Sequence, residues 1–309
     1  MKNTILFFLS ISLMNCYSQE YSKKWTDLTY VDDGKSYHLL DIYLPKKVEP
    51  TYPAVVLIYG SAWFSNNSKG ADMNTIGKAL LNAGYAVVTP NHRSSADAKF
   101  PAQINDIKAT IRFIRANCRI YQLDTTFIGI TGSSSGGHLS ALMGSTNYVK
   151  QYTIDSITVD IEGDLGKHTS FSSEVDAVCD WFGPTDFLVM DSCGSSIVHN
   201  DANSPESSLI GGDIQHNKIK CLLANPITYI DEKGPPYLII HGDADALVPY
   251  CNSELLYNAL QKAKVVSEYI LISGGEHYTG VHTEANINKM VYFFDNLSGK
   301  NTNAIEKKL

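Results

Sequence analysis

Short apolar runs alternate with amphipathic stretches along most of this chain. Pro53-Ala54-Val55-Val56-Leu57-Ile58-Tyr59 is a continuous apolar run, the pattern of a central parallel strand covered on both faces. Residues 85–89, 127–130, 175–183, 237–241 and 268–272 read as further strands. Residues 101–118 carry Ile104, Ile107, Ile111 and Ile114 on one helical face, and 73–83, 252–263 and 283–297 have helical spacing too. Ahead of them, 25–30 and 37–44 alternate apolar and polar residues around Asp32-Asp33-Gly34, which predicts an antiparallel hairpin. Strands alternating with helices after an opening hairpin predict an α/β fold with a mostly parallel, doubly wound sheet. Such sheets bind ligands at the carboxyl ends of their strands. Residues 149–173 are polar and irregular, and 187–225 are loop-rich, placed to sit over the strand ends as a small lid.

Composition narrows the picture. The chain has 309 residues, 44% hydrophobic and 18% charged, enough for one large α/β domain over 19–298 followed by a polar tail at 299–309. A net charge of −7 argues against a nucleic-acid or anionic-membrane surface. Residues 1–18 read as a secretory signal peptide: Lys2 gives a positive start, 4–14 are apolar but too short for an ordinary membrane span, and Cys16-Tyr17-Ser18 offers small residues for cleavage before Gln19. A lipoprotein acylated at Cys16 is the rival reading, with Asn15 a poor fit. Five further cysteines remain, Cys118, Cys179, Cys193, Cys221 and Cys251, at no metal-binding spacing. An oxidising compartment would allow one disulfide, with Cys193 a candidate.

The chemistry centres on Gly132-Ser133-Ser134-Ser135-Gly136, a G-x-S-x-G pattern between the apolar run 127–130 and a stretch with Leu139, Leu142 and Met143 at helical spacing. This strand–turn–helix context presents Ser134 as a nucleophile on a strained turn. The following helix start offers N–H donors to developing negative charge. In folds of this kind the partners follow in the order acid, then histidine. His277, in Gly274-Gly275-Glu276-His277-Tyr278 after the last strand, is the base. Among nine histidines, His241 ends a strand and packs locally, His138 steadies the nucleophile turn, and the rest fall out of order. Asp245 is the orienter, since it lies far enough beyond its strand for the loop to turn back, while Asp243 braces that loop. The oxyanion donors are the backbone N–H of Ser135 and that of Ser61 or Ala62. Asp160, Glu162 and Asp164 alternate, but their loop does not match a calcium site and reads as a solvated acidic loop.

Together with Tyr59-Gly60-Ser61-Ala62-Trp63, Phe100-Pro101-Ala102-Gln103-Ile104-Asn105-Asp106, Asp180-Trp181-Phe182-Gly183-Pro184-Thr185-Asp186 and Ser204-Pro205-Glu206-Ser207, these segments resemble the α/β-hydrolase superfamily. More closely, the chain is similar to the BD-FAE-like secreted carbohydrate esterases, of the bifunctional acetyl xylan and feruloyl esterase type. The resemblance implies Ser134, Asp245 and His277 as a triad. It also implies an acylated carbohydrate as substrate, no metal or organic cofactor, and no obligate protein partner. Where the family commonly has His-Gly-Gly-Gly this chain has Tyr59-Gly60-Ser61-Ala62, and it has Ser135 where Ala or Gly is frequent, so both departures touch the oxyanion hole. Trp63, Phe64, Trp181 and Tyr278 are candidates to line an apolar acyl pocket. The other readings are a general short-chain carboxylesterase or exopeptidase of the same fold, and a non-catalytic binding protein.

Overall fold

The computed structural model describes residues 21–300. The segment expected to be a signal peptide, with Cys16, and the tail from 301 onward lie outside the described residues. One eight-stranded sheet organises the rest. It runs β1 (Tyr21–Thr29), β2 (Leu39–Pro45), β4 (Ala86–Pro90), β3 (Tyr52–Ile58), β5 (Leu123–Ser133), β8 (Ala177–Trp181), β9 (Tyr237–Gly242), β10 (Ser267–Ile272). β1 and β2 form the expected hairpin, β2 meets β4 antiparallel, and every later pair is parallel.

The apolar runs are strands because both sheet faces are covered. Successive residues of β3 alternate faces: Val56 and Ile58 join the core on one side, Val55 and Leu57 the core on the other. The first core takes in Ile104, Ile107, Ile111 and Ile114 of α2 (Ala102–Ala116), Leu139, Leu142 and Met143 of α3 (Ser135–Ser145), and Leu256 and Leu260 of α6 (Cys251–Lys262). The second takes in Leu80 and Leu81 of α1 (Lys78–Asn82), with Ile287, Met290 and Phe294 of α7 (Glu284–Leu297). The helix expected over 73–83 opens with a wider π turn, Met73–Gly77, before α1.

Two stretches read as loop carry more structure. A two-stranded antiparallel hairpin, β6 (Gln151–Ile154) and β7 (Ile157–Asp160), occupies part of the stretch expected to be irregular. The acidic loop after it is not merely solvated. Glu162 forms an ion pair with Arg112 and another with Lys108 at 3.3 Å, and both cations belong to the buried face of α2. The loop-rich region contains α4 (Pro205–Ile210) and α5 (Lys218–Ala224), and a disulfide joins Cys193 to Cys251 at the start of α6. Cys251 is thus the partner that the sequence did not single out for Cys193.

Candidate active site at the strand ends

β5 ends in the turn that carries Ser134, the expected nucleophile. Ser134 has φ 57° and ψ −123°, a backbone conformation that non-glycine residues rarely hold. The sheet holds it there through Ser134 N–H donating to Trp181 O at 2.9 Å, while α3 begins with His138 N–H donating to Ser134 O at 3.0 Å. The residues two positions to either side must be glycine. A Cβ on Gly132 would stand 2.5 Å from Gly136 O and 2.6 Å from Ile58 O, and one on Gly136 would stand 2.3 Å from Ile58 O. The turn is thus wedged between β3 and α3, and its serine projects at the strand end.

Ser134 and His277 line one cleft of about 250 Å³. Ser134 Oγ has no hydrogen-bond partner among the described residues, and the serine–base contact in such sites commonly tightens only when substrate binds. His277 Nδ1 lies 2.6 Å from Asp245 Oδ2. Asp245 is well anchored: Oδ1 accepts from the N–H groups of Leu247 and Val248, both at 2.9 Å, and Oδ2 lies 3.3 Å from His241 Nε2. Burial alone would push the Asp245 carboxyl up. The hydrogen bonds with His241 and His277 outweigh it, with the backbone N–H of Val248 adding to them, and hold it well below the usual carboxylate range. Asp245 therefore stays ionised and accepts the Nδ1 proton, leaving Nε2 of His277 as the basic nitrogen.

The rival acid and the rival histidines fall elsewhere. Asp243 Oδ1 accepts from Gly274 N–H at 2.6 Å, bracing one loop against the other. His241 is locked between Ser253 Oγ at 2.7 Å and Val248 O at 2.8 Å. His138 holds the turn through its backbone N–H while its ring is anchored elsewhere: Nε2 lies 2.9 Å from Ala224 O, and burial pulls its pKa down to about 4.

The oxyanion loop separates the two candidates on it. Ser61 N–H already donates to Ser135 Oγ at 2.8 Å, so it is engaged within the protein. The N–H groups of Ala62 and Ser135 donate to no acceptor among the described residues, and both residues line the cleft. The loop turns tightly, with Phe64 N–H donating to Ser61 O at 2.9 Å and with Ala62 and Trp63 at φ 51° and 58°. Tyr59 stacks on His92 beneath it, centroids 4.7 Å apart.

Of the aromatic candidates, Trp63 and Tyr278 line the cleft. Trp181 does not. Its position on β8 sends the indole to the α7 face, where it is fully buried and meets His282 edge-on at 4.9 Å. Register on the strand, rather than closeness in sequence to the site, decides its place. Phe64 is more than half exposed and is absent from the lining. Phe182, at φ 44°, packs edge-on against His277 at 4.8 Å, and Tyr278 follows His277 at φ 68°. Ala62, Trp63, Ser134, Phe182 and Tyr278 thus surround the site, all with left-handed φ and none of them glycine.

One wall escaped sequence reasoning. Ile197, His199, Pro205 and Glu206, from the loop-rich region, line the cleft with Leu247. Only Glu206 had a local signal: Ser204 accepts from Ser207 N–H as a helix cap and Pro205 follows it, which fixes Glu206 in a first helical turn but not the direction it faces.

A BD-FAE family profile matches residues 40–260 of this chain. The chain is 47% identical to a solved truncated form of a carbohydrate esterase from gut microbiota, covering 91% of this chain and 98% of that one, with a TM-score of 0.88. It is 54% identical to part of a bifunctional GH43-CE protein of Bacteroides eggerthii, over 88% of this chain and 35% of that one, with a TM-score of 0.85. Esterase LipC of Mycobacterium tuberculosis is 28% identical over 80% of this chain and 58% of its own length. The chain spans about half the length of the curated relatives it matches.

Proposed function

Because the chain belongs to the BD-FAE family, we propose that it is a serine esterase that removes short acyl groups, acetyl before feruloyl, from carbohydrate esters. The observation that carries this reading is the 2.6 Å contact between His277 Nδ1 and Asp245 Oδ2 beside the cleft into which Ser134 opens. The 47% identity to a carbohydrate esterase supports the class of substrate. The cleft, about 250 Å³, is smaller than sites for drug-sized ligands, which run from roughly 300 to 1,000 Å³, and that favours a small acyl group over a feruloyl one.

In this mechanism Ser134 Oγ attacks the ester carbonyl carbon while His277 Nε2 takes its proton. Asp245 holds the ring and stabilises its charged form. The tetrahedral oxyanion is met by the N–H groups of Ser135 and Ala62, at the positive end of α3. His277 then returns the proton to the departing sugar oxygen as the carbon–oxygen bond breaks, leaving an acyl-Ser134. Water, deprotonated by His277, attacks the acyl carbon and releases the acid, and the proton goes back to Ser134. Secretion belongs to the same proposal, and the disulfide between Cys193 and Cys251 supports an oxidising compartment.

The test is hydrolysis of 4-nitrophenyl acetate, methyl ferulate and acetylated xylan by wild type and Ser134→Ala. Cleavage of acetylated xylan by the wild type alone is the expected result. Cleavage of the synthetic ester but not of xylan would keep the serine chemistry and discard the carbohydrate. Activity that survives in Ser134→Ala would overturn the assignment of the nucleophile.

A further inference from the structure

The cleft into which Ser134 opens also holds an acid–base pair for which ester hydrolysis has no use. His199 and Glu206 are 1% and 3% exposed, yet both line the cleft beside Leu247. His199 Nδ1 lies 3.0 Å from Glu206 Oε2, at ion-pair distance but without the alignment of a hydrogen bond. The ring is fixed from its other side, Nε2 lying 2.9 Å from Ser195 Oγ and 3.1 Å from Leu247 O. Burial opposes a charge on His199, but the carboxylate of Glu206 and the Leu247 carbonyl outweigh it and raise its pKa.

Glu206 is the unusual member. A buried carboxylate ordinarily collects several donors, because leaving its oxygens unmatched is costly. Oε2 of Glu206 is fully buried against His199 Nδ1 without an aligned hydrogen bond, and no described residue donates to its other oxygen, Oε1. Glu206 itself sits in the first turn of α4, capped by Ser204, and the neighbouring segment that presents His199 is built firmly. Asp191 accepts from the N–H groups of His199 at 2.7 Å and Asn200 at 3.0 Å, and the bridge from Cys193 to Cys251 ties the same segment to α6. A rigid acceptor that lines a cleft, with one oxygen against His199 and the other without a donor, is a binding site for a donor that arrives with the ligand.

We propose that Glu206, held by His199, accepts a hydrogen bond from a free hydroxyl of the sugar that carries the acyl group, and so selects carbohydrate esters over simple ones. This rests on the carbohydrate reading of the site. The charge balance decides the chemistry of the donor. His199 turns one ring nitrogen to the Leu247 carbonyl and the other to the carboxylate, so both nitrogens face acceptors and the ring favours a proton on each, which offsets the carboxylate. An ammonium group then gains little there, whereas a neutral hydroxyl gains a charge-assisted hydrogen bond without bringing a charge of its own into the cleft. Glu206 is a positioning residue: it fixes the leaving group and leaves the transfer of the acyl group to Ser134 and His277.

The experiment compares wild type, Glu206→Gln and Glu206→Asp on acetylated xylo-oligosaccharide and on 4-nitrophenyl acetate, with thermal melting of each protein. The expected result is a 10- to 100-fold fall in the ratio of kcat/KM for the saccharide to that for the synthetic ester, carried mainly by KM, as loss of a charged hydrogen bond predicts. Inhibition of 4-nitrophenyl acetate hydrolysis by deacetylated xylo-oligosaccharide should weaken by a similar factor. Glu206→Asp keeps the charge and draws it back by one methylene, so the comparison stays decisive if the glutamine variant does not fold. An unchanged ratio in a folded variant overturns the proposal while leaving the esterase reading intact. A wild type that cleaves 4-nitrophenyl acetate and no acetylated saccharide removes the carbohydrate reading first, and this inference with it. A selective loss on an amino-acid ester would make the site an ammonium site and overturn the proposal.

Discussion

Ser61 N–H donates to Ser135 Oγ at 2.8 Å, so the residue after Ser134 holds the 59–63 loop with its side chain while its own N–H, at the edge of the cleft, has no acceptor among the described residues. The hydroxyl at 135, an oddity in the sequence, thereby takes over part of the work of the glycines missing from Tyr59-Gly60-Ser61-Ala62. Ser135→Ala leaves the Ser61 N–H without its acceptor. The expected outcome is about 1 kcal/mol of lost stability and a fall in kcat of roughly tenfold at nearly constant KM, because the loop donors matter most in the transition state. Steady-state kinetics on 4-nitrophenyl acetate, with melting curves, would show it. A variant indistinguishable from wild type in both would mean that the hydroxyl does not hold the loop.

Asp245 fixes the tautomer of His277 by its 2.6 Å contact with Nδ1. Asp245→Asn keeps the shape of the acid, but its amide can present a donor to that nitrogen and so leave the wrong ring nitrogen basic. kcat should fall by on the order of 10³ or more with little change in KM. Retention of more than a tenth of the activity would place the orienting acid elsewhere.

Asp180 lies fully buried behind the nucleophile turn. Its Oδ1 accepts from Gly183 N–H at 2.9 Å, while Oδ2 has no partner among the described residues. Burial pushes its carboxyl up to about 7. From about pH 4 to that value the unfolded carboxyl is ionised while the folded one keeps its proton, so the wild type loses stability as pH rises through this window. Asp180→Asn cannot titrate. Its stability relative to wild type should therefore climb from about pH 4 to about pH 7, by up to about 4 kcal/mol, and then level off. Melting temperatures of both proteins at pH 4 to 8 test this, and a difference that does not vary with pH refutes it.

The bridge between Cys193 and Cys251 closes a loop of 58 residues that includes the wall with Glu206. Replacing both cysteines by alanine should cost about 4 kcal/mol on the loop-entropy estimate, lowering Tm by roughly 10 °C. A reductant should reproduce the drop in the wild type and leave the variant unmoved.

The sequence made the sheet and the order of Ser134, Asp245 and His277 legible because each depends on a local pattern: an apolar run, a G-x-S-x-G turn, a loop after a strand. The hairpin β6–β7 was hidden because its two strands are four residues each and half-exposed, giving too few periods to stand out. Trp181 went astray for a different reason. One step along a strand turns a side chain to the opposite face, and a motif does not record which face is which. Glu206 had only its helix-start signal, and its pairing with His199 could not be read, since that contact is made by tertiary packing alone.

Ala62, Trp63, Ser134, Phe182 and Tyr278 all hold backbone conformations that an isolated chain would shed. The sheet and its two cores keep them there, so the cleft resembles a drawn bow whose stave is the rest of the domain. For anyone seeking a more heat-resistant enzyme, the practical consequence is a division of territory. Relaxing these five residues would raise the melting temperature by slackening the site proposed to bind and turn over the ester. The outer strands, the β6–β7 hairpin and the helix surfaces are where rigidity can be added without disarming it.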